Sequence, residues 1–341
     1  MTKQLQISDI EDITYSPNEA VKSALEIIGN IHEESTKPNA DLGVFFGLPD
    51  VDTVMFPGRP GHVMAVLGRT NHGKSQVMQW WARKQANFIR ERQAAGLSRQ
   101  DECVVYVTWE QAVEEMVCFD LAQSAKIPAR DVMLGTITDE QMADLRLIHG
   151  PRRIVTPIYL IGHSVKEGKA RPLLTLTAVR DGLLSITEKY GLKIRALFLD
   201  HLQEMTPERG QNKEEQTRLN ASRLKDIAFE LRCTVIVGTQ AKRESYQRMW
   251  LPQVDDSEWS SALEHTCDAL FGIWYPCRAT GLELGDLVTH GKETMEVTKN
   301  LFILGLLKQR WGDAGKWWPL HIEPETNTIG QMTRVEVNDW K

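Results

Sequence analysis

Short, nearly continuous apolar runs alternate with longer amphipathic stretches over most of this chain. HVMAVLG (62–68) has no polar alternation and predicts a strand covered on both faces. A glycine-bearing loop follows, then a helix from about Lys74 to Arg90. CVVYVTW (103–109) predicts a second buried strand, with a helical stretch at 111–126. PIYLIGH (157–163) predicts a third strand, followed by a helix over 173–190 that stops at Gly191. IRALFLD (194–200) and TVIVGTQ (234–240) predict two more strands, with a helix over 213–232 between them. DALFGIWY (268–275) and NLFILGLLKQR (300–310) read as further strands, and KWWPLHIEPETNTI as a hairpin-like edge. Strands alternating with helices predict an α/β fold with a mainly parallel sheet and crossover helices.

Ahead of this pattern, residues 18–35 repeat apolar positions at Val21, Leu25, Ile28 and Ile31, which is one helical stripe. Pro17 and Asn18 suit the helix start, and Pro38 lies just beyond its end. Such a stripe must pack on its own body or on a neighbouring copy. KPNADLGVFFGLPD then reads as a loop. The expected division is an acidic segment over 1–40 carrying this helix, and one large domain over 41–341.

Charge sharpens the division. The 341 residues carry a net charge of −6. Residues 1–60 hold 4 Lys and Arg against 10 Asp and Glu, which leaves 36 against 36 in the rest. A neutral body offers no global basic field, so any nucleic-acid contact must come from a local patch. No window holds enough uninterrupted apolar residues to span a membrane, and the N-terminus lacks the basic-then-apolar pattern of a secretory signal. A cytoplasmic protein is expected. The five widely spaced cysteines read as reduced buried thiols, and no histidine spacing points to a metal site made of protein ligands alone.

Residues Gly68, Arg69, Thr70, Asn71, His72, Gly73, Lys74 and Ser75 form G-x-x-x-x-G-K-S between a predicted strand and a helix start. Glycines let backbone N–H groups turn toward phosphate oxygens, and the helix N-terminus adds positive partial charge. Lys74 is suited to bridge the β- and γ-phosphates of ATP, and the Ser75 hydroxyl to ligate Mg²⁺. Asp200 ends the strand RALFLD, so it should emerge at the same carboxyl edge, where a carboxylate is needed near the metal. A turn cap is its simpler reading. Glu110 follows VVYVTW and should reach the same edge; on its own it reads equally as a helix N-terminal charge.

Several segments, in the right order over about residues 18–330, together resemble the C-terminal ATPase domain of DnaB-type replicative helicases, hexameric RecA-fold motors that include the Twinkle type. GLPDVDTVMFPGRPGHVMAVLGRTNHGKS is similar to the family's lead-in and Walker A loop, and VVYVTWEQ to the strand that ends in the catalytic Glu. PIYLIGH is similar to the middle strand, and RALFLDHLQEM to the Walker B segment, with His201 where the family usually has Tyr. TVIVGTQAKRESYQR resembles the strand ending in a γ-phosphate-sensing Gln with a basic loop after it. SALEHTCDALFGIW and LLKQRWG resemble the following helix turn and strand, and the strand that bears a Lys-x-Arg finger.

The resemblance implies a RecA-like P-loop NTPase core with a linker helix at 18–35 that docks on an adjacent protomer. It implies ATP and Mg²⁺ as cofactors, a homo-oligomeric ring or hexamer, and a loader or primase as partner. Glu110 would activate water, Asp200 would serve as the Walker B carboxylate, and Gln240 would sense the γ-phosphate. Lys308 and Arg310, two apart on a strand and thus on one face, would reach a neighbour's nucleotide.

Two departures bear on function. Only about 40 residues precede the lead-in, which fits a minimal helicase of a phage, plasmid or other mobile replicon rather than one with a primase-binding collar. Where the family has an Arg-containing run facing DNA, this chain reads Asp256-Ser257-Glu258-Trp259-Ser260-Ser261, an acid in place of a phosphate-binding cation. Lys242, Arg243 and Arg248, interleaved with Tyr246 and Trp250, could replace it by phosphate contact and base stacking, with Arg209 and Lys213 on a second loop. A solvated run in a protomer contact is the other reading. Two functions remain open: a ring-forming motor on single-stranded DNA, or a non-unwinding RecA-fold ATPase that serves as recombination mediator, loader or nucleotide-switched assembly factor.

Overall fold

The computed structural model describes residues 16–37, 40–149, 157–166, 174–206, 213–247, 249–257 and 260–332. It divides into two units, residues 1–43 and 44–341. The first contains helix α1, Pro17–Ser35. Ser16 caps it by accepting from the Glu19 N–H while the Glu19 side chain accepts from the Ser16 N–H, and Pro17 fills the first turn. Val21, Leu25 and Ile28 are 59%, 63% and 60% exposed, so the stripe is formed but uncovered.

The second unit is built on a nine-stranded mixed sheet. The strands are β1 (Val63–Gly68), β2 (Glu102–Thr108), β3 (Ile158–Ile161), β4 (Lys193–Asp200), β5 (Thr234–Gln240), β6 (Ala269–Trp274), β9 (Leu301–Gln309), β10 (Lys316–Glu323) and β11 (Thr328–Gln331). A separate hairpin pairs β7 (Leu287–His290) with β8 (Glu293–Glu296). The order across the large sheet is β11-β10-β9-β6-β1-β5-β4-β2-β3. Strands β6, β1, β5, β4, β2 and β3 run parallel, and β9, β10 and β11 complete one edge antiparallel.

Strand β1 shows why its run is wholly apolar. Met64 and Val66 enter one core with Phe198, Phe271, and Trp80 and Trp81 of helix α3 (Lys74–Ala94). Val63, Ala65 and Leu67 enter the other, with Leu183 of α7 (Leu176–Tyr190) and Leu224 of α8 (Lys213–Glu230). Successive side chains point to opposite faces, and both faces are roofed by helices. The small β7–β8 hairpin closes a third cluster around Trp274, Met295 and Ile303.

The predicted strands and long helices are all present, with ends shifted by a few residues. Three features differ. PIYLIGH forms only a four-residue, half-buried edge strand, β3. The stretch read as a loop contains a short helix, α2 (Pro49–Asp52). Beyond α4 (Val113–Ala125), two further helices, α5 (Ala129–Leu134) and α6 (Asp139–His149), and the β7–β8 hairpin lie in segments whose short or polar pattern predicted nothing. Helix α9 (Ser260–Thr266) precedes β6. Among the described residues, no helix is long and apolar enough to cross a membrane.

Candidate active site

Parallel pairing brings the chemistry-bearing residues to one sheet edge. Gly68 at the end of β1 lies in register with Gln240 at the end of β5, and Asp200 at the end of β4 with Thr108 at the end of β2. Glu110 follows Thr108 by two residues and is exposed. Thus the loop 68–75, Gln240, Asp200 and Glu110 share the carboxyl edge, where ligands bind in open α/β sheets.

The loop has the backbone that its glycines permit. Asn71 and Gly73 take positive φ, 64° and 83°, and Gly73 caps α3, so Lys74 and Ser75 occupy its first turn. A Cβ at Gly68 would lie 2.7 Å from Ile273 Cγ1. His72 is buried, and its Nδ1 accepts the Tyr275 N–H at 3.1 Å. Burial first, and then the Arg69 and Arg278 cations, lower the His72 pKa to about 4, so the ring is neutral and free to accept. Arg278 Nη1 donates to the Asn71 carbonyl at 2.9 Å.

The other side of the loop is tied to residues 241–257. Buried Arg69 donates through Nη2 to the carbonyls of Ser245 and Trp250, at 2.7 and 2.8 Å. Thr70 N–H donates to the Tyr246 hydroxyl at 2.9 Å, and Gln240 Nε2 donates to Thr70 Oγ1 at 2.7 Å. The segment is closed by an antiparallel bridge between Ala241 and Ser257. Lys242 Nζ donates to the Asp255 carbonyl at 3.1 Å, while Arg243 is exposed.

Both aromatics of this segment make contacts within the domain. Tyr246 is hydrogen-bonded to Thr70. Trp250 stacks on His290 of the β7–β8 hairpin at 3.9 Å and meets Trp317 edge-on at 5.1 Å. Tertiary packing claims a half-buried tryptophan more strongly than solvent does. Arg209, Arg248 and Glu258 lie outside the described residues, as does the side chain of Lys213 at the start of α8.

Lys308 and Arg310 lie at the opposite edge. Strand β9 runs antiparallel to β6, so Lys308 faces Leu270 and Gln309 faces Ala269, near the strand's start. The phosphate-loop end of β1 faces Ile273 instead. Four residues separate Ala269 from Ile273, roughly 13 Å along the strands. Arg310 falls one residue beyond β9 rather than within it. Both cations nevertheless gather at one place, the C-terminus of α9. Lys308 Nζ donates to the carbonyls of Glu264 and Cys267, the latter at 3.2 Å. Arg310 Nε lies 3.5 Å from Asp268 Oδ1, and its backbone N–H donates to the Asp268 carbonyl at 2.7 Å.

A model of the DnaB-like helicase C-terminal domain matches residues 43–323. The chain belongs to that family. Its fold is similar to two solved structures. One is an isolated ATPase domain, at TM-score 0.70 and 16% identity, covering 94% of this chain and 100% of that one. The other is a DnaB-like replicative helicase described with its interactions with primase, at TM-score 0.71 and 17% identity, covering 96% and 70%. Among curated proteins, none matches this chain.

Within this DnaB-like domain, several side chains at the site escaped the sequence reading. Gln203 is buried, accepts the Gln240 N–H at 3.2 Å and donates to Thr239 Oγ1 at 3.0 Å, which locks the ends of β4 and β5 together. Tyr106 Oη donates to Asp200 Oδ2 at 2.8 Å. Asp268 accepts the Val63 N–H at 2.8 Å and also holds Lys225 and Arg310. None carries a motif signal except Gln203, which sits in the family's Asp-Tyr-Leu-Gln pattern.

The residues present fit a nucleotide and its metal. The loop has the backbone for phosphate at a helix start, and Asp200 Oδ1 is a buried oxygen without a hydrogen-bond partner, which a hydrated cation would satisfy. Among the described residues, no cluster of three His, Cys, Asp or Glu could hold a metal by itself.

Proposed function

We propose that this protein is an ATP-hydrolysing, ring-forming motor of the DnaB-like type that acts on single-stranded DNA. One observation carries the reading. Lys74, Glu110, Asp200 and Gln240 lie at the carboxyl edge of the sheet, and Lys308 and Arg310 lie at the other edge. A single copy cannot bring Lys308 and Arg310 to its own phosphate loop; a second copy can.

ATP with Mg²⁺ supplies the transferable phosphoryl group and the charge neutralisation it needs. The chain does the rest. Backbone N–H groups at the helix start, residues 73–75, and the Lys74 ammonium would hold the phosphates, and Ser75 and Asp200 would hold the metal. Glu110, exposed at the strand end, accepts a proton from attacking water. Gln240 bonds Thr70 in the loop and continues into the segment carrying Lys242 and Arg243, so a change at the phosphates moves that segment. Arg310 and Lys308 of one copy stabilise charge on the next copy's nucleotide. The uncovered stripe of α1 supports the same assembly, because docking it on an adjacent copy removes exposed Val21, Leu25 and Ile28 from water.

The internal use of Tyr246 and Trp250 favours a second reading, a non-unwinding RecA-fold ATPase that serves as a loader or assembly factor. Particle imaging with a non-hydrolysable ATP analogue, with and without oligonucleotide, tests the ring and its channel. A protein that stays monomeric while hydrolysing ATP rapidly refutes the proposal. Strand displacement on a forked duplex separates motor from non-unwinding ATPase.

A further inference from the structure

Tyr106 has no role in the mechanism above, yet it touches the carboxylate on which metal binding depends. It lies on β2 in register with Phe198 of β4, two residues before Asp200. Its ring is fully buried and stacks on Phe198, with centroids 6.0 Å apart and planes 8° from parallel. Its hydroxyl donates to Asp200 Oδ2 at 2.8 Å.

The two oxygens of Asp200 are therefore unequal. Oδ2 is held, whereas Oδ1 is buried with no hydrogen-bond partner, His201 Nδ1 lying 3.9 Å away. Gly238 on β5 packs against this carboxylate: a Cβ there would lie 2.8 Å from Met78 Sδ, 3.1 Å from His201 Cβ and 3.3 Å from Asp200 Oδ1. A buried carboxylate bonded at one oxygen has a fixed rotamer and presents the other in a fixed direction. Partners of this kind commonly govern metal affinity by 10–100-fold.

We propose that Tyr106 is a positioning residue for the nucleotide's Mg²⁺, pinning Asp200 through Oδ2 so that Oδ1 is left to the hydrated metal. This rests on the nucleotide-hydrolysis reading. Packing alone does not require the hydroxyl, because phenylalanine fills the same volume against Phe198.

The test is Mg²⁺-dependent binding of a fluorescent ATP analogue to the full chain, beginning in EDTA. In Tyr106→Phe, affinity in EDTA stays within about twofold of wild type, while the Mg²⁺ concentration for half-maximal binding rises at least about 10-fold. Excess Mg²⁺ restores binding. In an Asp200→Asn background, Tyr106→Phe adds nothing further, since the group it positions is gone. Melting curves establish that each variant is folded, and Tyr106→Leu repeats the test without the ring. An unshifted Mg²⁺ midpoint in folded Tyr106→Phe overturns the proposal and leaves the hydrolysis reading standing. A wild-type chain that binds no nucleotide removes the hydrolysis reading instead.

Discussion

His72 shows how a residue inside a phosphate loop can serve the scaffold. Its neutral Nδ1 accepts the Tyr275 N–H, which ties the loop to the end of β6. The folded pKa of about 4 lies below the ordinary 6.5, so between these values the unfolded chain binds the extra proton. Stability should therefore be flat above pH 6.5 and fall as pH drops from 6.5 to 4, by up to about 3 kcal/mol from this group. Melting curves at pH 7.5 and pH 5 measure the fall; His72→Asn should flatten it. At the same scale, Lys74→Ala should reduce nucleotide turnover at least about 100-fold, the order of loss for removing a donor to transition-state charge. Glu110→Gln should stop turnover and leave nucleotide binding within about twofold. Normal hydrolysis by that variant would remove Glu110 from the chemistry. Cys103, Cys233 and Cys267, by contrast, are buried, which pushes each thiol's pKa up to about 12.

The phosphate loop and the segment 241–257 behave as a joined pair of elements. Arg69, Thr70 and Gln240 supply four of the hydrogen bonds that join the loop to the end of β5 and the segment after it. Two of them come from a buried guanidinium, and bonds from a charged group contribute about 1.5–3 kcal/mol each. Arg69→Ala should raise amide exchange across 241–257 by at least about 10-fold while β1 and β5 keep their protection. Exchange measured by mass spectrometry reads this directly; uniform acceleration across the whole chain would mean instead that the domain had merely lost stability. Thr70 is the point where Gln240 and Tyr246 both bond to the loop.

For the assembled molecule, the separation of the phosphate loop from Lys308 and Arg310 makes a distinct demand. Arg310→Ala should lower turnover about 10³–10⁵-fold with little loss of ATP binding, the range for an arginine supplied in trans. Mixing Arg310→Ala with Lys74→Ala subunits should restore part of the activity, because some interfaces then pair an intact loop with an intact finger. No rescue in such mixtures would count against catalysis between copies. Leu25→Asp and Ile28→Asp together should leave the melting temperature of the ATPase domain unchanged and shift sedimentation toward smaller species, as both side chains are exposed.

Much of this was written in local order. The buried runs around Val66, Leu197 and Ile236 could be read as strands because a sheet roofed on both faces requires apolar residues at every position. Gly68 through Ser75 could be read as a phosphate loop because glycine, lysine and serine at that spacing serve a contiguous piece of backbone. Asp200 and Glu110 were legible from one further rule, that parallel strands deliver their C-terminal residues to a common edge, and Gln240 from the resemblance to the DnaB-type family. What no stretch of chain encodes alone is which distant groups meet: Tyr106 with Asp200, Trp250 with His290, Arg69 with the carbonyls of Ser245 and Trp250. Those pairings depend on strand order and register, which are set by burial summed over the whole sheet. The same summation packed Trp250 against His290 and Trp317, and put Lys308 and Arg310 at the far edge from the phosphate loop.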